Sequence, residues 1–313
     1  MAKLGSRLNG IQEAEGSSPS GSTTGFEQTP FVQDEGGLLY QEGKVPTRSE
    51  AYHDHEAPAY DAKYDDIPFF TKVYEPVTWD NIRRFLPPQP ARVLDAGGGT
   101  GRWTVVLAQL GYEVMLTDIS QGMLDVARAK IEAAGLSDRV TILRQDIRDM
   151  SALAPDSFDL VLSEGDPVSY CEDPTAAIRE LARVARVGAH VIVSVDSRVA
   201  ALRNLNELDF DTAEALLRTG QMKWSMEDEA LVYPIHAFTI PELAGLFEAN
   251  GLRVVRVLGK PVFSNRLQPE VRDKILADEE LTRRLVELEC RYGDDPGWAG
   301  SGGHIEVTGV KVW

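Results

Sequence analysis

Cysteine is almost missing from this chain. Cys171 and Cys290 are the only two in 313 residues. That is too few for a disulfide framework or a thiolate zinc site, and it fits a reducing cytoplasm. No apolar run approaches the ~20 residues a membrane helix needs. The first residues lack the continuous apolar stretch of a signal peptide. Positive charge is also short: 32 Lys and Arg against 49 Asp and Glu give a formal net charge of −17. No basic run offsets it, so the composition predicts neither a nucleic-acid partner nor an anionic membrane surface. The nucleophile turn G-x-S-x-G and the P-loop G-x-x-x-x-G-K-[ST] are both missing. Chemistry on a small molecule is what these absences leave. A hydrophobic content of 43% is ample for a packed core, and the length suits one large α/β domain with insertions or two small domains.

Residues 1 to about 55 hold few periodic apolar positions. Gly16-Ser-Ser-Pro-Ser-Gly-Ser-Thr-Thr-Gly25 is low in complexity, so the segment is predicted to be a disordered tail. Within it, Arg7–Thr23 reads like a transfer-RNA gene translated in frame. Gly16-Ser17-Ser18-Pro19 is what the T-arm sequence GGTTCGAGTCC encodes, which makes residues 1–25 a candidate for a start codon placed too early. Order is expected from about Ala57, through an aromatic-rich stretch (Tyr60, Tyr64, Phe69, Phe70, Tyr74) and a helix from Pro76 to Leu86 stopped by Pro87-Pro88.

From there the pattern alternates. Strands are predicted to end at Asp95 and Asp118, then to run over 139–144, 159–163, 190–195, 252–258 and 304–310, with helices between them. Ser120, Asp173 and the Thr239-Ile-Pro-Glu242 capping box open helices, and Gly135 closes one. The expected fold is a Rossmann-like, doubly wound, mostly parallel seven-stranded sheet with helices on both faces. Two helical insertions, 197–238 and 260–303, are expected to form a cap. The second carries one apolar stripe of Val271, Ile275, Leu281, Leu285 and Leu288. These elements are assigned to one domain spanning 56–313.

Residues 92–101, Arg-Val-Leu-Asp-Ala-Gly-Gly-Gly-Thr-Gly, carry the strongest functional signal. A strand ends at Asp95, a turn almost without side chains follows, and a helix begins at Arg102. Such a turn lets a ligand approach the backbone closely. Asp118 stands 23 residues after Asp95 at the end of the second strand, where an acid can hydrogen-bond both hydroxyls of a ribose. The glycines do not fit the dinucleotide spacing G-x-G-x-x-G, since Arg102 and Thr104 occupy the required positions. They fall instead as Gly97-x-Gly99-x-Gly101 behind an acid two residues upstream.

That pattern resembles the first motif of the class I S-adenosylmethionine-dependent methyltransferases. The specific matches lie between about 92 and 170. The resemblance implies S-adenosylmethionine as cofactor, with Asp95, Gly97, Gly99 and Gly101 under its methionine part and Asp118 on its ribose. Asp146 and Ile147, after the third strand, would meet the adenine, with helix capping as the plainer role for Asp146. Ile119 and Met123 would add apolar contact, with core packing the alternative for Met123. Tyr60 and Tyr64 are either a lid over the cofactor or anchors for the helix behind them. Ser163-Glu164-Gly165-Asp166-Pro167-Val-Ser-Tyr170 follows the fourth strand, where methyl group and acceptor meet in this family. It departs from the Asn/Asp-Pro-Pro-Tyr of enzymes acting on base or glutamine amines, which counts against such an acceptor. Glu164 is a candidate both for cofactor contact and for orienting or deprotonating the acceptor.

Of five histidines, His53 and His55 read as solvated and His190 as structural. His304 is structural or faces the pocket. His236 is the second catalytic candidate, placed where this family often reaches the acceptor, against the plainer reading of a packed ring. The histidines and acids suggest no metal set. Direct displacement from a sulfonium needs mainly proximity and alignment, so no nucleophile motif is required. The reading is methyl transfer to a small-molecule acceptor, with oligomeric state open. A non-catalytic S-adenosylmethionine-binding module and an NAD(P)-dependent oxidoreductase are the rivals.

Overall fold

The computed structural model describes residues 31–33, 39–41, 47–203, 210–224 and 233–313. The start-codon reading of residues 1–25 lies outside the described residues. Strands β1 (Phe31–Gln33) and β2 (Leu39–Gln41) pair antiparallel within a unit of their own, Met1–Pro46. All that follows concerns the second unit, Thr47–Trp313.

That unit begins ten residues earlier than the sequence suggested. Helix α1 (Arg48–Glu56) opens with a capping box: the Thr47 hydroxyl accepts from the Glu50 amide, and the Glu50 carboxylate accepts from the Thr47 amide. Thr47-Arg-Ser-Glu50 carried this signal, but the helix has only one strongly apolar residue to bury, Tyr52, and so lacked a hydrophobic period. The tail expected over 1–55 therefore ends, on its C-terminal side, at Pro46. Helix α2 (Tyr60–Asp65) and a π-helical turn at Phe70–Tyr74 lead into α3 (Glu75–Arg84).

The core then alternates as expected: β3 (Arg92–Ala96), α4 (Arg102–Gln109), β4 (Glu113–Asp118), α5 (Gln121–Ala133), β5 (Val140–Arg144), β6 (Phe158–Ser163), α6 (Pro167–Tyr170), α7 (Pro174–Val184) and β7 (Ala185–Asp196). Ser120 and Asp173 cap α5 and α7 as predicted. The first insertion folds as α8 (Arg198–Arg203), α9 (Phe210–Thr219) and a hairpin of β8 (Gln221–Trp224) with β9 (Tyr233–His236). Then come α10 (Ile240–Ala249), opened by the Thr239–Glu242 capping box, and β10 (Leu252–Lys260). The second insertion is two helices, α11 (Pro269–Leu276) and α12 (Glu279–Tyr292), before β11 (His304–Lys311). The single stripe expected here is broken. Asp278 caps α12 and resets the helical phase, so Leu285 is buried while Val271, Leu281 and Leu288 are exposed.

The seven strands lie in the order β10-β11-β7-β6-β3-β4-β5. Only β11 runs antiparallel to its neighbours. Successive residues of a strand enter opposite cores. Leu94, Val161 and Val191 pack with Phe247 and α7, while Val93, Leu160 and Ile192 pack with Ile82 and Leu107. The central strands carry apolar residues on both faces because helices cover both sides of the sheet. The direction of chain return reverses between β3 and β6, and ligand crevices open at the carboxyl ends of strands at such a point.

Beneath that crevice lies a buried ion cluster. Lys260 Nζ, at the end of β10, stands 2.5 Å from Glu164 Oε2 and 3.2 Å from Thr78 Oγ1, and it also meets Glu306 of β11. Asn81 of α3 donates to the other Glu306 oxygen. One lysine thus ties α3, β6, β10 and β11 together. Breaking a buried pair from one side leaves uncompensated charge, so Lys260→Ala should lower unfolding free energy by about 3–5 kcal/mol. Urea denaturation at neutral pH checks this. A loss under about 1 kcal/mol would show that water reaches the cluster.

Candidate active site

The crevice is a cavity of about 1110 Å³. Its floor is the turn after β3. Gly97 and Gly99 have φ of +70° and +55°, and a Cβ on Gly98 would come within 2.5 Å of Leu116 and 2.6 Å of Asp95. Backbone strain at two positions and a close approach at the third exclude side chains here. The exposed face of the turn is bare backbone, which fits the cradle that S-adenosylmethionine requires.

Asp118 lies at the edge of this floor. Its Oδ2 accepts from the Gly99 amide at 2.9 Å and its Oδ1 from the Ser120 amide at 2.8 Å. Each carboxylate oxygen keeps acceptor capacity for a hydroxyl. Burial raises the Asp118 pKa, and the two amides work against that rise. Ile119 and Met123 line the same wall, as do Asp146 and Ile147. Asp146 is clamped by Arg148, whose Nη2 stands 2.7 Å from Oδ2 and whose Nε stands 3.0 Å from Oδ1. An adenine amine would share that carboxylate with the arginine, a partner the sequence did not suggest.

Tyr60 and Tyr64 both line the cavity. They belong to an aromatic row in which ring centroids follow one another at 4.8 Å (Tyr60–Tyr64), 4.9 Å (Tyr64–Phe70) and 5.2 Å (Phe70–Tyr74). Acidic contacts fasten this segment to the cofactor side. Asp54 accepts from Ser120 Oγ at 2.6 Å and from the Gly122 amide at 2.9 Å. Asp61 accepts from Thr100 at 2.7 Å and meets Lys130 at 2.6 Å. Lys130, expected in solvent, is held by this contact. His53, also expected in solvent, lines the cavity with its Nδ1 2.7 Å from the Ser49 carbonyl.

Three expected residues lie elsewhere. Asp95 is sealed under the turn, does not line the cavity, and accepts from Thr104 Oγ1 at 2.6 Å. Burial pushes its pKa up to about 6. It supports the turn from below. Gly101 is the left-handed N-cap of α4, behind the cavity wall. His236 is also absent from the lining. Its Nε2 stands 2.7 Å from Glu242 Oε1 and its Nδ1 3.0 Å from Gln221 Nε2. The capping-box glutamate holds the ring away from the acceptor.

Glu164 does line the cavity, and its Oε1 is buried without a hydrogen-bond partner. Burial and the neighbouring Glu306 push its pKa well up, against the pull of Lys260. Beside it the structure assembles residues that no motif had joined: Tyr74, Asp166, Asp196 and His304. Burial lifts Asp196 to about 7, with the charge of Asp166 adding to the effect. Asp166, Asp196 and His304 bring one potential ligand atom each within 4.8 Å of one another. Asp166 already accepts from Ser194 at 2.5 Å and stands 2.8 Å from His304 Nδ1, while Asp196 Oδ2 and His304 Nδ1 are buried without a hydrogen-bond partner. Cys171 lines the cavity too, but burial pushes its thiol up to about 12, which keeps it protonated and inert at neutral pH.

Comparison with known proteins agrees with this geometry. Residues 93–188 match the family model of a methyltransferase domain. The chain carries a methyltransferase domain and is an S-adenosylmethionine-dependent methyltransferase. Its cofactor is S-adenosylmethionine. It is 27% identical over 266 residues to the tRNA 5-carboxymethoxyuridine methyltransferase of Escherichia coli (strain K12), covering 80% of this chain and 97% of that one. It is 28% identical over 156 residues to the demethylmenaquinone methyltransferase of Bacteroides fragilis, covering 49% of this chain and 61% of that one. A chain of the complex between the Haloferax volcanii Trm112 methyltransferase activator and its methyltransferase shares the fold, with TM-score 0.55 and 18% identity, over 85% of this chain and 99% of that one. The methyltransferase domain and its glycine cradle exclude the oxidoreductase rival.

The expectation that nucleic acid is excluded as a partner is overturned by the tRNA-modifying relative, which aligns over nearly its whole length. Net charge averages over a surface, whereas recognition acts locally. Five arginines (Arg48, Arg102, Arg148, Arg203 and Arg272) and six carboxylates (Asp118, Asp146, Glu164, Asp166, Glu172 and Asp196) line this one cavity, so charge of both signs is placed locally whatever the overall −17. Asp118→Ala should weaken binding of S-adenosylhomocysteine by about 1.5–3 kcal/mol, the scale of a hydrogen bond to a charged group. Isothermal calorimetry checks it, and unchanged affinity would remove Asp118 from the ribose role.

Proposed function

We propose that this chain transfers a methyl group from S-adenosylmethionine to a carboxylate oxygen on a nucleotide of RNA, by in-line displacement. The observation that carries the reading is Arg272. It lines the acceptor half of the cavity with its Nε buried and unpartnered, and its nearest carboxylate, Asp273, is 4.0 Å away. Its guanidinium lies 5.5 Å over the Phe69 ring. A buried Nε–H without an acceptor is costly unless a ligand completes it, and the side chain as a whole, 35% exposed, is open to an anion. The aromatic row from Tyr60 to Tyr74 offers flat faces for a planar base. The E. coli relative, by its name, acts on a uridine that bears a carboxymethoxy group, which combines a planar ring with a carboxylate.

The cofactor, when bound, supplies a methyl on a sulfonium that leaves as a neutral thioether. A carboxylate acceptor arrives already deprotonated, so no base is needed and opposite charges cancel as the methyl moves. The protein's task is then alignment. Gly97–Gly99 and Asp118 hold one reactant, Arg272 and the aromatic row the other, and Glu164 sits between the two halves.

The test uses labelled S-adenosylmethionine and tRNA from cells that lack the relative's activity. Label should enter the tRNA and be released by mild alkali, as a methyl ester is. Arg272→Ala should raise the acceptor KM about 10-fold or more, for loss of a charge-assisted hydrogen bond. Alkali-stable label, or none, would contradict the reading.

A further inference from the structure

We propose that His304, oriented by Asp166, is the residue that grips the acceptor oxygen, donating from Nε2 to one oxygen of the carboxylate while Arg272 holds the other side. This rests on the carboxylate reading above.

The register of the sheet places the ring. His304 opens β11, directly opposite Asp196 on β7 and Lys260 on β10, with Gly303 before it at the cavity wall. Its Nδ1 stands 2.8 Å from Asp166 Oδ2. Ser194 donates to Asp166 Oδ1 at 2.5 Å, and the same hydroxyl accepts from the Asp166 amide at 3.3 Å. The Asp166 carboxylate is thus pinned before it meets the ring, and the ring cannot rotate without losing that contact. Tyr74 packs edge-on against the imidazole at 5.2 Å. Nδ1 is ion-paired with Asp166 without an aligned hydrogen bond, and Nε2 is the other polar atom of a ring that lines the acceptor half of the cavity. A carboxylate that fixes one imidazole nitrogen so that the other can act is a known way to set tautomer and direction.

Charge explains why the donor is a histidine–aspartate pair. An imidazolium paired with a carboxylate adds no net charge beside the sulfonium yet still offers a directed N–H. Burial works against the charged ring, but Asp166 outweighs it, so the His304 pKa lies above its ordinary value. Asp166 itself is lowered by His304 against the effect of burial. The other charged or titratable groups facing the ring are Asp196 from β7, Lys260 from β10 and Tyr74 from the π-helical turn. The sign follows. An N–H donor for an anion is present below the His304 pKa and fades as pH rises through it. A general base would give the reverse, with activity rising over the same interval.

The experiment uses the full chain saturated with S-adenosylhomocysteine and titrated with phenoxyacetate, an aryloxy carboxylate that is anionic across the pH range studied. Histidine-ring 15N NMR and calorimetry provide the readouts. The wild type should bind the probe with a shift at the His304 Nε2 signal, and affinity should fall as pH rises through the His304 titration. His304→Leu should bind about tenfold or more weakly, as expected for a lost charge-assisted contact. His304→Gln, which retains an N–H near the Nε2 position, should recover part of the loss without the pH step. Asp196→Asn should keep the step, which separates His304 from its acidic neighbour. S-adenosylhomocysteine affinity should stay within about twofold in every variant, and this doubles as the folding control. Wild-type affinity in His304→Leu, binding that strengthens with pH, or no probe binding to the cofactor-loaded wild type would each overturn the proposal. Probe binding at His304 together with unlabelled tRNA in the preceding test would overturn the RNA reading alone.

Discussion

Much of this structure follows from one contact, the Gly99 amide donating to the Asp118 carboxylate across the ends of two neighbouring parallel strands. It closes the turn after β3 onto the end of β4, so the bare backbone and the Asp118 carboxylate are a single rigid edge. Gly98 must be glycine because Asp95 and Leu116 fill the space beneath it. Asp95, buried and bonded to Thr104, props the turn from below. The sheet supplies the geometry, and the glycines keep it open.

The acceptor half is built on a different principle. Its polar groups come from six separated stretches: the π-helical turn, the ends of β6, β7 and β10, the second insertion and the start of β11. Each group is fixed by another. Lys260 serves Glu164 and Glu306, Ser194 serves Asp166, and Asp166 serves His304. Asp196, lifted to about 7, and His304, raised above its ordinary value, are groups here that can hold a proton near neutral pH, while Glu164 stays paired with Lys260. A proton held on His304 suits an acceptor that arrives as an anion.

This contrast explains what could be read from the sequence. The cofactor half was legible because its residues sit at strand ends, where a short apolar run followed by glycine or acid fixes position and direction together. Asp118, Ile119, Met123, Asp146 and Ile147 all fall where that logic put them. Asp95 and Gly101 belong to the same local motif, yet their side-chain positions turn inward, which spacing alone does not reveal. His236 was misjudged because Glu242, known from the sequence as a capping residue, also holds the imidazole. His304 was left between a structural role and the pocket, since the pairing of β11 with β7 that sets it opposite Asp196 is not visible in the sequence. The net charge misled for a related reason: composition has no coordinates, and the cavity holds charges of both signs at fixed places.

The most direct test of the central claim is calorimetric titration of the full chain with S-adenosylhomocysteine, with NADH as control. The glycine spacing and the Asp118 edge predict saturable one-to-one binding in the micromolar range for the first and no heat for the second. NADH binding, or a folded protein that takes up neither, would contradict the account of the cradle on which the rest is built.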